Sequence, residues 1–309
     1  MKKRILYMAY ILAIPLCWIS CSDDDGKTVY SKEGAKTEIG RKITENSGFV
    51  GHLFKDTSYT LSAGVQACEI QCLSENGLAT KLYIFEVALD TKGLTIAVSA
   101  PDNDDSKFGL QPMTLQAEAY ESPTKHVLGA VNGDFFTSAG IPGGIFYRKG
   151  RGIKTVMGDE KTTFFAITKD KRAIIGSRDE FDHVKDRLWE AIGGRHRLLR
   201  NGQIEPQVNT QLEPRTCVGV TSANVVYLMV VDGRNFWNSN GMTFSDMSKV
   251  MRALGATDAI NLDGGGSSTF VVCASRNNTP ASFVVRNWPY DYGGQERAVA
   301  NGLLIVKED

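Results

Sequence analysis

The chain has 309 residues, enough to bury one large core or two small ones. Hydrophobic residues make up 42% and charged residues 23%, ordinary for a soluble globular protein. Lys plus Arg and Asp plus Glu both number 35, so no global field selects nucleic acid or an acidic surface, and any recognition of charge is local.

Lys2, Lys3 and Arg4 open the chain, and an apolar run over 5–19 follows that is short for a membrane span, the form of an export signal. The run ends in Trp18-Ile-Ser-Cys21, which resembles a bacterial lipoprotein signal: residues 1–20 are removed and Cys21 takes the lipid. Ser22-Asp-Asp-Asp25 resembles the acidic tag of surface-exposed bacterial lipoproteins. The expectation is an exported lipoprotein of the outer membrane, surface-exposed or otherwise periplasmic, touching the membrane only through its lipid. An ordinary cleaved secretion signal is the alternative. Residues 21–46, polar and glycine-containing, read as lipidated N-terminus and flexible tether. Residues 47–309 then form the domain, with 47–126 a β-rich lead-in that could be a subdomain.

Export leaves Cys68, Cys72, Cys217 and Cys273 in an oxidising compartment, where two disulfides or four buried thiols are equally open. If Cys68 and Cys72 share a strand, they are too far apart to bridge each other. Zinc is disfavoured, because neither CxxC spacing nor nearby histidines occur.

Short runs rich in branched or aromatic residues predict strands over 59–65, 68–73, 81–88 and 94–100, punctuated by Asn76-Gly77 and Lys92-Gly93. A short helix is expected over 115–120, and a buried strand over 127–131 runs into Asn132-Gly-Asp134. Residues 162–168 and 172–175 read as a hairpin. Phe181, Val184, Leu188 and Ile192 fall at helical spacing, which predicts a helix over 179–191 stopped by Gly193-Gly194. Strands are expected at 198–201, 216–220 and 225–231, the last leading into Asp232-Gly-Arg234. Thr243 with Asp246 opens a second helix whose apolar face is Phe244, Met247, Val250, Met251 and Leu254, ending at Gly255. Strands over 258–262, 269–273, 282–286 and 300–306 complete a fold expected to be α+β: a mostly antiparallel or mixed curved β-sheet with a few packed helices.

Polar groups recur where these strands end, the place where a rigid sheet presents binding and catalytic residues. Asn132 and Asp134 follow one strand, Arg215 precedes another, and Asp232 and Arg234 follow the next. Asp263, Gly264, Gly265, Gly266, Ser267 and Ser268 follow a fourth, and Glu296, Arg297 and Asn301 precede the last. Three glycines in a row allow close backbone approach, and successive amides there can form an anion nest. Each group has a bland reading as a turn pair, a solvated arginine or a surface ion pair.

Pro214-Arg-Thr-Cys-Val-Gly219, Val231-Asp-Gly-Arg234, Leu254-Gly255, Asn261-Leu-Asp-Gly-Gly-Gly-Ser-Ser268 and Glu296-Arg-Ala-Val-Ala-Asn301 occur in one order. On that ordered set the sequence resembles the phosphodiester glycosidase family over roughly 127–306. The resemblance implies hydrolysis of the bond between a sugar anomeric carbon, α-linked N-acetylglucosamine in the family, and a phosphodiester. It carries over Asn132 better than Asp134, whose position varies in the family. The implied partner is a sugar-1-phosphodiester or phosphate-containing glycan, with no cofactor and no nucleic acid.

For that reaction Arg215, Arg234 and Arg297, the Gly264–Gly266 turn, Ser267 and Ser268 are assigned to phosphate, with Asn132, Asp134 and Asn301. Asp263 is the expected base or nucleophile and Glu296 its partner, while Asp232 acts as a further acid or orients an arginine. The rival readings are a non-catalytic glycan-binding lipoprotein with Trp237, Trp288, Tyr290 and Tyr292 as platforms, and a phosphodiesterase holding calcium or magnesium on Asp232 and Asp263.

Overall fold

Runs of β-branched and aromatic residues that bury both faces, such as the seven-residue strand Val225–Val231, can only sit inside a layered sheet structure. The computed structural model, which describes residues 34–159, 162–275 and 281–309, shows three antiparallel sheets. The leader, Cys21 and the acidic tag lie outside the described residues. Lys32–Asp309 forms one compact unit.

The largest sheet has eight strands in the order Val50–Ser62, Val65–Ser74, Ala79–Ala88, Val225–Val231, Arg215–Val220, Asp258–Asn261, Arg197–Arg200 and Gln203–Ile204. The second runs Arg151–Lys154, Phe146–Arg148, Leu188–Gly194, Thr163–Thr168 and Ala173–Ser177. The third runs Ser282–Val285, Phe270–Ser275, Lys125–Asn132, Gly302–Glu308 and Leu94–Val98. Among the described residues every strand pair is antiparallel, so the expected α+β class holds there without its mixed variant.

One core fills the space where the three inner faces meet. Phe85, Leu228 and Ile260 come from the large sheet, Phe165 and Ile192 from the second, and Ile96 and Leu303 from the third. Phe85 stacks on Phe270 of the third sheet at 3.9 Å between ring centroids. Burying each such side chain contributes about 1.5–3 kcal/mol. Four helices cover outer faces: α1 (Glu38–Asn46), α2 (Met113–Tyr120), α3 (Arg178–Val184) and α4 (Phe244–Ala253). α1 and α4 lay Ile39, Ile43, Met247, Val250 and Met251 on the large sheet, and α2 lays Met113 and Ala117 on the third.

Several expectations are corrected. Residues 38–46, expected within a tether, are helical instead: Thr37 caps α1 through Gly40 N at 2.9 Å, and Asp56 fixes the Thr37 amide at 2.6 Å. The lead-in is no separate subdomain: Ala79–Ala88 pairs with Val225–Val231, and Leu94–Val98 with Gly302–Glu308. The helix expected over 179–191 stops at Val184, and Leu188–Gly194 is a strand between Phe146–Arg148 and Thr163–Thr168. Pairing on both sides there outweighs helical spacing. The four cysteines are thiols; Cys68, Cys72 and Cys217 are buried under α1 and α4, and burial pushes the first two up to about 12.

Candidate active site

The motif loops converge on Pro214, just before the central strand Arg215–Val220. Its carbonyl accepts from Gly265 N at 2.9 Å and would lie 2.7 Å from any Cβ at Gly264. A Cβ at Gly233 would lie 2.5 Å from its nitrogen. Three chain segments therefore pass at distances only glycine permits. This close passage, together with φ +62° at Gly265, is what the glycines are for.

Asp263 sits at the exit of Asp258–Asn261, half-buried, and its backbone is clamped. Its amide donates to Gly133 O at 2.9 Å, its carbonyl accepts from Asn132 Nδ2 at 2.7 Å, and its Oδ1 accepts from Gly264 N at 3.0 Å. Asn132 is fully buried, and its Oδ1 also accepts from Thr216 Oγ1 at 2.7 Å and Thr269 N at 3.1 Å. It ties two strands and the Thr269 amide to the Asp263 loop, and both polar atoms of its side chain are engaged there.

Most of the amides of the expected anion nest are already engaged. The Gly264 and Gly265 amides are used as above, and those of Ser267 and Ser268 donate to Gly264 O and Gly265 O, each at 3.2 Å. Ser267 Oγ instead accepts from Arg297 Nη1 at 3.3 Å. Arg297 also donates through Nε to Asp291 Oδ2 at 2.6 Å, and a Cβ at Gly266 would overlap that carboxylate. Arg234 pairs with Glu213, lies 5.3 Å from the Tyr290 ring centre, and has its guanidinium 3.4 Å from where a Gly265 Cβ would be. Gly265 and Gly266 thus lie between two half-exposed arginines, each held by a carboxylate.

Arg215 is different. Only 8% exposed, it donates to Met242 O at 3.2 Å and Gln211 O at 2.9 Å and lies 4.0 Å from the Phe244 ring centre. Burial lowers it to about 10, Glu213 raises it, and Arg234 lowers it. It reaches the site as a buried charge behind Arg234, not through these hydrogen bonds.

Matches to known proteins follow this geometry. The profile described as phosphodiester glycosidase matches residues 125–306, more than half the chain. The chain belongs to the phosphodiester glycosidase family. Bovine N-acetylglucosamine-1-phosphodiester alpha-N-acetylglucosaminidase is 30% identical over 175 residues, half of this chain and 32% of that protein; the mouse protein of the same name is 29% identical over the same shares. The chain thus spans about a third of the length of these relatives. The solved catalytic domain of the zebrafish protein of that name, auto-inhibited by its pro-peptide, superposes with TM-score 0.61 at 20% identity, covering 82% of this chain and 88% of that one. A hypothetical Synechocystis protein superposes at 0.59 with 11% identity over 82% of this chain and 64% of its own. At such identities the two structures show the fold.

Two assigned acids face elsewhere. Glu296 accepts from Thr114 N at 3.2 Å and from Thr114 Oγ1, so it caps the first turn of α2. Asp232, 2% exposed, accepts from Asn287 Nδ2 at 3.0 Å and Trp288 N at 2.9 Å. It orients no arginine through these bonds; it anchors the loop leading to Trp288 and Tyr290. Burial pushes its carboxyl up to about 6.

Asp134 and Asn301 brace the opposite wall. Asn301 Oδ1 accepts from Asp134 N at 2.9 Å, and Asp134 Oδ2 accepts from Gly144 N at 2.6 Å. A Cβ at Gly193 would lie 2.7 Å from that oxygen, so Gly193, read as part of a helix stop, lies in a strand and admits the Asp134 carboxylate and the Gly144 backbone instead. Two buried atoms near the loop, Ser268 Oγ and Asn301 Nδ2, have no partner among the described residues. Sequence reasoning missed Glu213, which precedes a recognised motif, and Asp291, which lies in a segment without one. Among the described residues no three His, Cys, Asp or Glu side chains converge as a metal-ligating group.

Proposed function

We propose that this chain hydrolyses the bond between a sugar anomeric carbon and a phosphodiester, releasing free sugar and a phosphate monoester. The observation that carries the proposal is the convergence of Asp263, Arg234, Arg297 and Ser267 around one glycine turn in a member of this family. The bovine and mouse relatives, by name, support α-linked N-acetylglucosamine as the sugar.

Cleavage of the C1–O bond builds oxocarbenium-like charge on the sugar and returns an electron pair to the phosphate oxygen. A phosphate monoester, with a second pKa of about 6, leaves without a strong general acid. The need is for cations placed in advance, and forked guanidiniums suit a phosphate. Arg234 and Arg297 meet that need once the substrate's phosphate takes over from Glu213 and Asp291. Asp263, fixed at backbone and Oδ1, attacks C1 or deprotonates the water that does. Asp232 holds the Trp288–Tyr290 side as a rim for sugar. That commitment also weakens the metal-phosphodiesterase reading, which needs Asp232 as a ligand.

The N-terminal reading completes the proposal: an exported lipoprotein carried on Cys21 at the outer membrane, meeting phosphate-bearing glycans outside the cytoplasm. A Cys21→Ala chain that still fractionates with membranes would end that part.

The catalytic part is tested on a GlcNAc-α-phosphodiester in heavy-oxygen water. Label is expected in the sugar, with Asp263→Asn and Arg297→Ala each losing about 10²–10³ in turnover. Label in the phosphate, or near-normal rates in both variants, defeats it.

A further inference from the structure

A concave site lies far from Asp263. The strand Lys125–Asn132 places Asn132 at the Asp263 loop, while Lys125, at its other end, lines a separate cavity of about 440 Å³. Seven steps of about 3.4 Å put the two ends of this strand roughly 24 Å apart. The partner strand repeats this arrangement, with Asn301 next to its start and Glu308, a cavity residue, at its end. The volume falls in the range of small-molecule pockets, about 300–1,000 Å³.

The cavity opens between the second and third sheets. Its inner wall is mostly apolar, with Ile96, Ala97 and Ile167, and carries one buried carboxyl, Glu190, whose oxygens accept from Val98 N and Lys149 N. Trp189 lies on its rim, 43% exposed despite its size. Gly150 leaves room for the indole: a Cβ there would stand 3.1 Å from Trp189 Cε3. Lys149, Lys169 and Lys171, all exposed, line the same cavity. No ion pair to a carboxylate is found for these three ammoniums among the described residues, whereas Lys125 is neutralised by Glu308 at 3.0 Å. Lys149 and Lys171 occupy left-handed backbone positions, φ +52° and +60°, where glycine or asparagine carries less strain.

We propose that this cavity is a binding subsite for an acidic saccharide, which lays the apolar face of a pyranose on Trp189 and its anionic group among Lys149, Lys169 and Lys171. An exposed indole offers a large apolar face at low entropic cost. Lysines serve as flexible point charges, which suits phosphate and carboxylate alike. A neutral sugar satisfies the indole alone, and an inorganic anion the lysines alone. The site does not rest on the proposed hydrolysis.

The experiment is calorimetric titration of the full chain with glucose 6-phosphate, with glucuronic acid, and with glucose as the neutral control. Saturable binding of at least one acid, at least about tenfold tighter than glucose, is expected. Binding of both acids assigns the site to anionic sugars generally, and binding of one alone assigns it to that anion. Trp189→Ala, and separately the triple Lys149→Gln, Lys169→Gln, Lys171→Gln variant, should each weaken it about tenfold or more. Turnover of a small phosphodiester substrate should not change, which separates this site from that of Asp263. All four positions carry solvent-exposed side chains, so both variants should fold. The assignment is overturned if neither acid binds better than glucose, or if both variants bind as wild type does.

Discussion

Gly266 has space for a hydrogen and nothing larger, because the Asp291 carboxylate occupies the position of its Cβ. That carboxylate is also what aims Arg297 at Ser267. Gly266→Ala should therefore displace Asp291 and misdirect Arg297. We expect a fall of about tenfold or more in kcat/KM with little change in Tm, checked by steady-state kinetics beside thermal unfolding. Arg297→Lys keeps the charge and loses the fork that spans Asp291 and Ser267, so it should fall about as far as Gly266→Ala. A near-normal Arg297→Lys would mean that charge alone suffices. Much at this scale was legible in the sequence, since Asp263, Arg234 and Arg297 stand in recognisable loops. Asp291 and Glu213 were not, because a carboxylate held opposite an arginine leaves no mark in either local sequence. Glycines mislead in the complementary way: Gly264 and Gly266 look like a nest for a ligand, and what they admit is protein.

At the level of elements, capping and pairing decide where side chains end up. Thr243 and Asp246 announce α4 and do cap it, with Asp246 N donating to Thr243 Oγ1 at 3.1 Å. α2 follows Pro112 and has no cap of its own, and Glu296 from nearly two hundred residues away supplies one. Its acidic neighbourhood to Arg297 made it look catalytic, and only the fold reveals Thr114 as its partner. Glu296→Ala should cost about 1 kcal/mol of stability, as cap losses do, and leave the chemical step largely intact. Chemical denaturation and single-turnover rates measured on the same sample check both halves; a hundredfold slower chemical step at unchanged stability would restore Glu296 as a catalytic acid. Leu188–Gly194 makes the same point about pairing. Its spacing suits a helix, yet Ala191 and Ile192 have strand partners on both sides, and long-range partners are invisible in a local window.

Across the whole molecule, short runs of branched and aromatic residues between turn pairs made an α+β protein legible, but the joining of three sheets was not. The joints depend on buried acids. Glu190, 4% exposed, accepts from Val98 N of the third sheet at 3.0 Å and Lys149 N beside the second at 3.1 Å. Burial pushes it up to about 7, against the pull of those amides and of Arg148. Asp232, at about 6, joins the large sheet to the loop at Asn287, whose Oδ1 accepts from Phe270 N at 2.7 Å. Both folded values lie above the ordinary carboxylate values, so between them the native state holds more protons than the unfolded chain. Stability should be full near pH ~4 and decline as pH rises through about 7, on the order of 3 kcal/mol for Glu190 alone. The acids that are held low, Glu38, Asp104, Asp170, Asp179 and Asp182, lie at the surface, and their loss falls at lower pH. Urea unfolding across about pH 5 to about pH 7 should therefore show a falling midpoint. In Glu190→Gln, which cannot ionise, roughly half of that slope should vanish, the remainder belonging to Asp232, even if the amide fits the two N–H donors poorly and lowers stability throughout. A midpoint that rises over this range, or a slope unchanged in Glu190→Gln, would show that the joint between the second and third sheets is held by an ionised carboxylate.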